Sequence, residues 1–125
     1  MSQYKIAFFD VDGTLSDMET RTVSDITIET LKRLQENNII ICLATGRQPT
    51  KVPRLKGITF DAILSFNGSY CFDRERKVIY SHPIPHKDIL KIIENASAIN
   101  RPVAIASKDE TVANGTDKDL TDYFA

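Results

Sequence analysis

Apolar residues along this chain fall into short, nearly unbroken runs separated by a polar stretch of helical period. Tyr4 to Phe9, Ile39 to Ala44 and Ile58 to Ser65 (centred on Asp61-Ala62-Ile63-Leu64-Ser65) are brief, β-prone and almost continuously apolar, the pattern of strands buried on both faces of a parallel sheet. Between the first two, Ile28, Leu31 and Leu34, with Thr27, share one helical face, and Lys32, Arg33 and Glu36 lie mostly off it, which predicts an amphipathic helix. Ser24 stands where an N-cap belongs, Asp25 and Glu29 lie early in the helix where its dipole favours acids, and Asn37-Asn38 ends it. Strand, helix, strand in one parallel sheet calls for a right-handed crossover, so the first half of the chain reads as α/β.

The remainder is punctuated by proline and charge. Gln48 to Gly57 predicts only a short or distorted helix, because Pro53 would disrupt a helix interior. Ser69 to Phe72 and Lys77 to Ser81 flank Asp73-Arg74-Glu75-Arg76, a hairpin with a charged tip. Beyond Pro83 and Pro85 the character changes. His86-Lys87-Asp88 opens a helix with Ile89, Ile92, Ile93 and Ala96 on one face, followed by a strand over Pro102 to Ala106 and a short one near Thr111 to Ala113. His82 and His86 are four apart, but the two prolines prevent a regular helix between them, which argues against a two-histidine metal site.

Each of the three strand runs ends in residues that bear chemistry. The first ends in Asp10-Val11-Asp12-Gly13, and the carboxyl ends of strands are where open α/β sheets place ligands. Gly13 can take a backbone conformation closed to other residues, so the chain can turn and keep both carboxylates near one place. An ordinary turn after a strand would use the same residues. An EF-hand loop would not, since the twelfth position counted from Asp10 is Arg21 rather than Glu. The second run ends in Thr45-Gly46-Arg47 and the third in Phe66-Asn67-Gly68.

Asp10-Val11-Asp12-Gly13-Thr14-Leu15 resembles the signature of the haloacid dehalogenase-like (HAD) phosphohydrolases. The resemblance implies a Rossmann-like parallel sheet with helices on both faces. It makes Asp10 the nucleophile that forms an aspartyl-phosphate and Asp12 the general acid/base, with the Asp10 carboxylate and the Asp12 backbone carbonyl as Mg²⁺ ligands. The segment from Ser16 to Thr22 would form a small mobile flap beside the nucleophile. Thr45 would be the hydroxyl that hydrogen-bonds phosphoryl oxygens, and Gly46 would allow close backbone approach. A helix N-cap is the other reading of Thr45. Arg47 either faces the substrate's phosphate or leaving group or sits on a solvated helix start. Asn67 resembles the Asn-Gly element at the active-site rim of the Cof-type branch, and as a bare dipeptide it equally signals a hairpin turn.

Physical chemistry supports the cation independently of the name. A carboxylate meeting a phosphate dianion at ~4 Å is repelled by roughly 4 kcal/mol per unit-charge pair at an effective dielectric near 20, so about twice that here. Mg²⁺, held by one or two carboxylates plus phosphate and water, removes that barrier. Carboxylate nucleophiles are an established covalent strategy.

The resemblance divides the chain into the N-terminal part of a HAD core over residues 1–80 and the beginning of an inserted α+β cap over 81–125. The C-terminal half of the core, with its lysine and second acidic motif, is absent. The implied function is a Mg²⁺-dependent phosphatase for small phosphate monoesters such as sugar or cofactor phosphates, inactive as it stands if those motifs are needed. A phosphomutase and a noncatalytic phosphate-binding module remain alternatives. Without the later strands, Tyr4 to Phe9 would become an exposed apolar edge open to self-association.

Composition narrows the partners. With 16 basic and 17 acidic residues the formal net charge is −1, so no basic field points to nucleic acid or a membrane surface. No apolar run reaches membrane-spanning length, and a strand begins almost at once, leaving no room for a secretory signal. Cys42 and Cys71 fall in strand runs without metal-ligand spacing and read as small buried hydrophobes, which fits a reducing cytoplasm.

Overall fold

Pairing of three short parallel strands organises residues 3–82. β1 (Ile6–Phe9) runs alongside β2 (Ile40–Ala44) in the register Ile6 to Ile40 and Phe9 to Leu43. β2 pairs in parallel with β3 (Ala62–Ser65), Cys42 lying opposite Ala62 and Ala44 opposite Leu64. Two antiparallel strands, β4 (Tyr70–Asp73) and β5 (Val78–Ser81), extend the sheet in the order β1-β2-β3-β4-β5. The computed structural model describes residues 3–124 and divides the chain into two units between His82 and Pro83.

The crossover from β1 to β2 contains α1 (Asp25–Glu36), capped at its start by the Ser24 hydroxyl, which accepts from the Thr27 N–H at 3.2 Å. Asn37 closes its last turn, and Asn38 follows in the left-handed region at φ 62°, a conformation asparagine tolerates better than most residues. Leu31 is the helix's buried anchor, in one cluster with Ile41, Leu43, Val11, Leu15, Val52 and Phe60, with Leu34, Phe9 and Ile63 packed against it. Side chains alternate across a strand, so α1 covers the face bearing Phe9, Ile41 and Leu43.

That alternation corrects one expectation. Tyr4 to Phe9 is not buried on both faces: β1 is the sheet's edge, with Ile6 46 % and Phe8 55 % exposed. Ile40, level with Ile6, is also exposed. These three side chains lie on the face opposite α1, and β1 has one neighbouring strand rather than two. It therefore forms the exposed apolar edge described above.

One segment agrees with expectation and one boundary differs. Gln48 to Gly57 contains a single 3-10 turn, Pro49–Lys51, because proline suits a first turn but the second proline at 53 ends it. The third strand begins at Ala62, since Asp61 is used at its border: its N–H donates to Ile41 O at 2.9 Å and its carboxylate accepts from the Ile41 N–H at 3.2 Å. The charged-tip hairpin forms as read, with the Asp73 carboxylate accepting from the Glu75 and Lys77 N–H groups, both at 2.9 Å. Cys42 and Cys71 are free, buried thiols whose pKa values burial pushes up.

The second unit, described over 83–124, holds α2 (His86–Ala98), an antiparallel pair of β6 (Ala104–Ala106) and β7 (Thr111–Ala113), and α3 (Lys118–Phe124). Arg101, just past α2, ties it to the start of α3, pairing with Asp117 at 3.0 Å and Asp119 at 2.7 Å. Among the described residues, no helix is long and apolar enough to cross a membrane.

Since Leu31 is 2 % exposed in the cluster shared by α1, β2 and the first turn, Leu31→Ala is expected to cost about 2–5 kcal/mol. Urea denaturation of the two proteins side by side measures it.

Candidate functional site

The turn after β1 is built on one carbonyl. Val11 O accepts from the N–H groups of Thr14, Leu15 and Ser16 at 3.3, 3.0 and 2.8 Å, and the Gly13 N–H donates to Ser16 O at 2.9 Å. Gly13 sits at φ 82°, which a residue with a Cβ adopts only at a cost. Val11 and Leu15 point into the core, so Asp10 and Asp12, on either side of Val11, are turned outward and exposed. One oxygen of Asp10 accepts from the Val11 N–H at 2.9 Å.

Downstream, the segment 16–23 is a small loop closed by bridge-type pairing of Ser16 with Val23. Asp17 is structural here, its carboxylate accepting from the Glu19 and Thr20 N–H groups at 2.8 and 2.9 Å. Those donors, Thr20 first, lower its pKa.

The parallel register sets Thr45-Gly46-Arg47, after β2, beside this turn. Thr45 is 3 % exposed. Its hydroxyl oxygen accepts from the Arg47 N–H at 3.1 Å, a bond that closes the local turn. It is not the N-cap of the following turn: that position is Gln48, without a side-chain cap bond. Accepting one bond leaves the hydroxyl proton to donate elsewhere. The Arg47 side chain, 31 % exposed, is turned towards Asp12 and the 3-10 turn that follows. Its Nε donates to Asp12 Oδ2 at 2.9 Å, Nη2 to Asp12 Oδ1 at 2.5 Å, and Nη1 to the Lys51 carbonyl at 3.0 Å.

Asn67, after β3, completes the group. It is left-handed at φ 57°, ψ 32°, and the Ser69 N–H donates to Phe66 O at 3.2 Å, so the Asn-Gly hairpin turn is real. The same residue also meets the site. Its N–H donates to Thr45 O at 2.9 Å, and a Cβ on Gly46 would stand 3.1 Å from its Oδ1. A side chain at 46 would press on Asn67, which would have to give by a few tenths of an ångström.

Thus Asp12, Thr45, Gly46, Arg47 and Asn67 form one connected group, and Asp10 stands at the adjoining strand end with its bond to Val11. The Asp12–Arg47 link had no sequence signal, because 35 residues separate the partners. The Arg47 hydrogen bonds hold the Asp12 carboxyl below the usual carboxylate range, against a smaller opposing effect of burial, and Asp12 raises Arg47 in turn. That direction favours an ionised Asp12, whereas a general acid needs a raised pKa. In this arrangement, then, Asp12 is a carboxylate held by a cation.

Oxygen donors suited to a hard cation are present in part. The Asp10 carboxylate offers one, and the bonds that fold the turn run to the carbonyls of Val11 and Ser16 rather than to that of Asp12. These two fit a cation that takes its other ligands from water and substrate. Among the described residues no group of three His, Cys, Asp or Glu converges for a metal.

Comparison with known proteins places this geometry. The profile of a family described as haloacid dehalogenase-like hydrolase matches residues 7–124. A provisionally named phosphatase, YkrA of Bacillus subtilis, is 31 % identical over 114 residues, covering 90 % of this chain and 44 % of its own. BT1666 of Bacteroides thetaiotaomicron, described among the phosphatases of the HAD superfamily, superposes with a TM-score of 0.86 at 30 % identity, covering 96 % of this chain and 45 % of its own. BT4131, described as a HAD subclass IIB sugar phosphatase, superposes with a TM-score of 0.82 at 27 % identity over 96 % of this chain and 47 % of its own. The chain therefore spans less than half the length of the relatives it matches.

The lowered carboxyl groups give an acid limb with a definite sign. Asp12 and Asp17 both fall below the ordinary 3.8, so their contribution is fully present above that value and is lost as pH falls through the folded-state values. Stability is expected to be flat in this respect from pH 7 to about 5 and to decline below about pH 4. Asp12→Asn should flatten part of that decline in urea titrations repeated across pH.

Proposed function

The chain belongs to the haloacid dehalogenase-like hydrolase family, and from that premise we propose that it carries the nucleophile segment of a Mg²⁺-dependent phosphatase acting on small phosphate monoesters such as sugar or cofactor phosphates. The observation that carries the reading is the convergence of motifs: the carboxyl ends of β1, β2 and β3 lead into Asp10 and Asp12, Thr45 and Arg47, and Asn67. Relatives described as phosphatases, one of them a sugar phosphatase, support the substrate class.

In this reading an Asp10 oxygen attacks phosphorus, the ester P–O bond breaks, and Asp12, once freed from Arg47 and protonated from solvent, passes that proton to the departing substrate oxygen. Water, losing its proton to Asp12, then attacks the aspartyl-phosphate, which releases inorganic phosphate and restores Asp10. A positioned acid/base of this kind contributes about 10²–10⁴-fold. Thr45 donates its hydroxyl proton to a phosphoryl oxygen, and Asn67, set against Gly46, borders the substrate. The Asp10 carboxylate and the Asp12 carbonyl would hold Mg²⁺, which when bound offsets the negative charge of nucleophile and phosphate.

Beryllofluoride, which imitates a phosphorylated carboxylate, tests the nucleophile without requiring turnover. With Mg²⁺, fluorine NMR of the chain is expected to show bound beryllofluoride, and Asp10→Asn should abolish that signal. A signal indifferent to Asp10→Asn would refute the assignment. With two protein oxygens for the cation among the described residues, Mg²⁺ binding should be weak and hydrolysis of p-nitrophenyl phosphate by these 125 residues negligible.

The edge of β1 bears on partners. Ile6 and Phe8 are exposed on a strand with one side unpaired, a configuration that templates association with another strand. Self-association is therefore part of the reading. Light scattering at rising concentration should show species heavier than one chain, and Phe8→Lys should reduce them; a strict monomer at every concentration would remove this element.

A further inference from the structure

Resting on the phosphoryl-site reading, we infer that Arg47 is a shared ligand: it holds Asp12 when the site is free of phosphate, and an arriving phosphoryl group takes it over and so releases Asp12. Three features lead there. Both oxygens of Asp12 are committed to Arg47, at 2.9 and 2.5 Å. Each oxygen keeps a further lone pair, but the bidentate grip turns the carboxyl towards Arg47, so the resting arrangement is not one that aims Asp12 at a leaving group. The pair has to open first.

The base of Arg47 is fixed while its arm is accessible. Its N–H donates to Thr45 Oγ1 at 3.1 Å and its carbonyl accepts from the Phe66 N–H at 3.0 Å, anchoring the backbone between β2 and β3. The side chain is 31 % exposed and that of Asp12 47 %. An ion pair this wet contributes little, so exchange for another anion is not opposed by a large loss.

The incoming group has the chemistry to compete. Phosphate oxygens take the planar guanidinium fork two at a time, as a carboxylate does, and a dianion does so with more charge. Thr45, whose oxygen is tied to the Arg47 N–H, places a phosphoryl oxygen within the same loop. Arrival of the correct group and liberation of Asp12 thereby become one event, so the acid/base group is withheld until there is a phosphoryl group for it to serve.

A double-substitution cycle read by phosphate affinity tests this. Inorganic phosphate with Mg²⁺ is titrated into the chain, Asp12→Asn, Arg47→Gln and the doubly substituted chain, each first shown to be folded by its amide NMR spectrum. If the two anions compete for Arg47, removing Arg47 costs at least threefold more affinity in the Asp12→Asn background than in the unaltered chain. In the unaltered chain, saturating phosphate should also move the Asp12 carboxyl carbon resonance towards its position in Arg47→Gln. An equal cost in the two backgrounds, or a larger one when Asp12 is present, overturns the inference while leaving the phosphate site standing. Phosphate binding by none of the four would overturn both.

Discussion

Parallel pairing of β1 with β2, and of β2 with β3, is the constraint on which everything else in residues 3–82 depends. Parallel neighbours end at the same edge of a sheet, so three motifs far apart in sequence emerge beside one another. The register Phe9 to Leu43 and Ala44 to Leu64 brings the Asp10–Asp12 turn, the Thr45–Arg47 loop and the Asn67 turn to one edge. α1 maintains the arrangement, because its Leu31 and Leu34 pack over Ile41 and Leu43 and keep the crossover closed.

Stability and chemistry are assigned to different residues. A buried leucine such as Leu31 contributes several times what an exposed ion pair does, roughly 2–5 against 0–1 kcal/mol. The Asp12–Arg47 pair, half open to water, therefore matters for what it arranges rather than for how firmly it holds the fold. The buried polar group Thr45 is satisfied by the loop it closes, and Gly46, bearing no side chain, lets Asn67 lie against it without giving way. Each local feature trades bulk or freedom for proximity at the strand ends.

Much of this was legible along the chain. The period of α1, its Ser24 cap, the hairpin with its Asp73 tip and the position of β7 follow from local rules of spacing, capping and turn chemistry. The motif of Asp10 to Leu15 was equally plain, since it is contiguous. Less legible were the ends of elements decided by neighbours: β3 starts at Ala62 because Asp61 is spent on Ile41.

What the sequence determined by itself is therefore the class of fold, the order of its elements and the identity of the groups at each strand end, all consequences of short-range periodicity and conformational preference. Only the tertiary structure decided that β1 is an edge with Ile6 and Phe8 exposed, that Thr45 turns its oxygen to the Arg47 N–H, and that Arg47 grips Asp12. An apolar strand reads the same whether one neighbour or two lies beside it. A charged side chain carries no mark of which opposite charge, 35 residues away, the sheet will set within its reach.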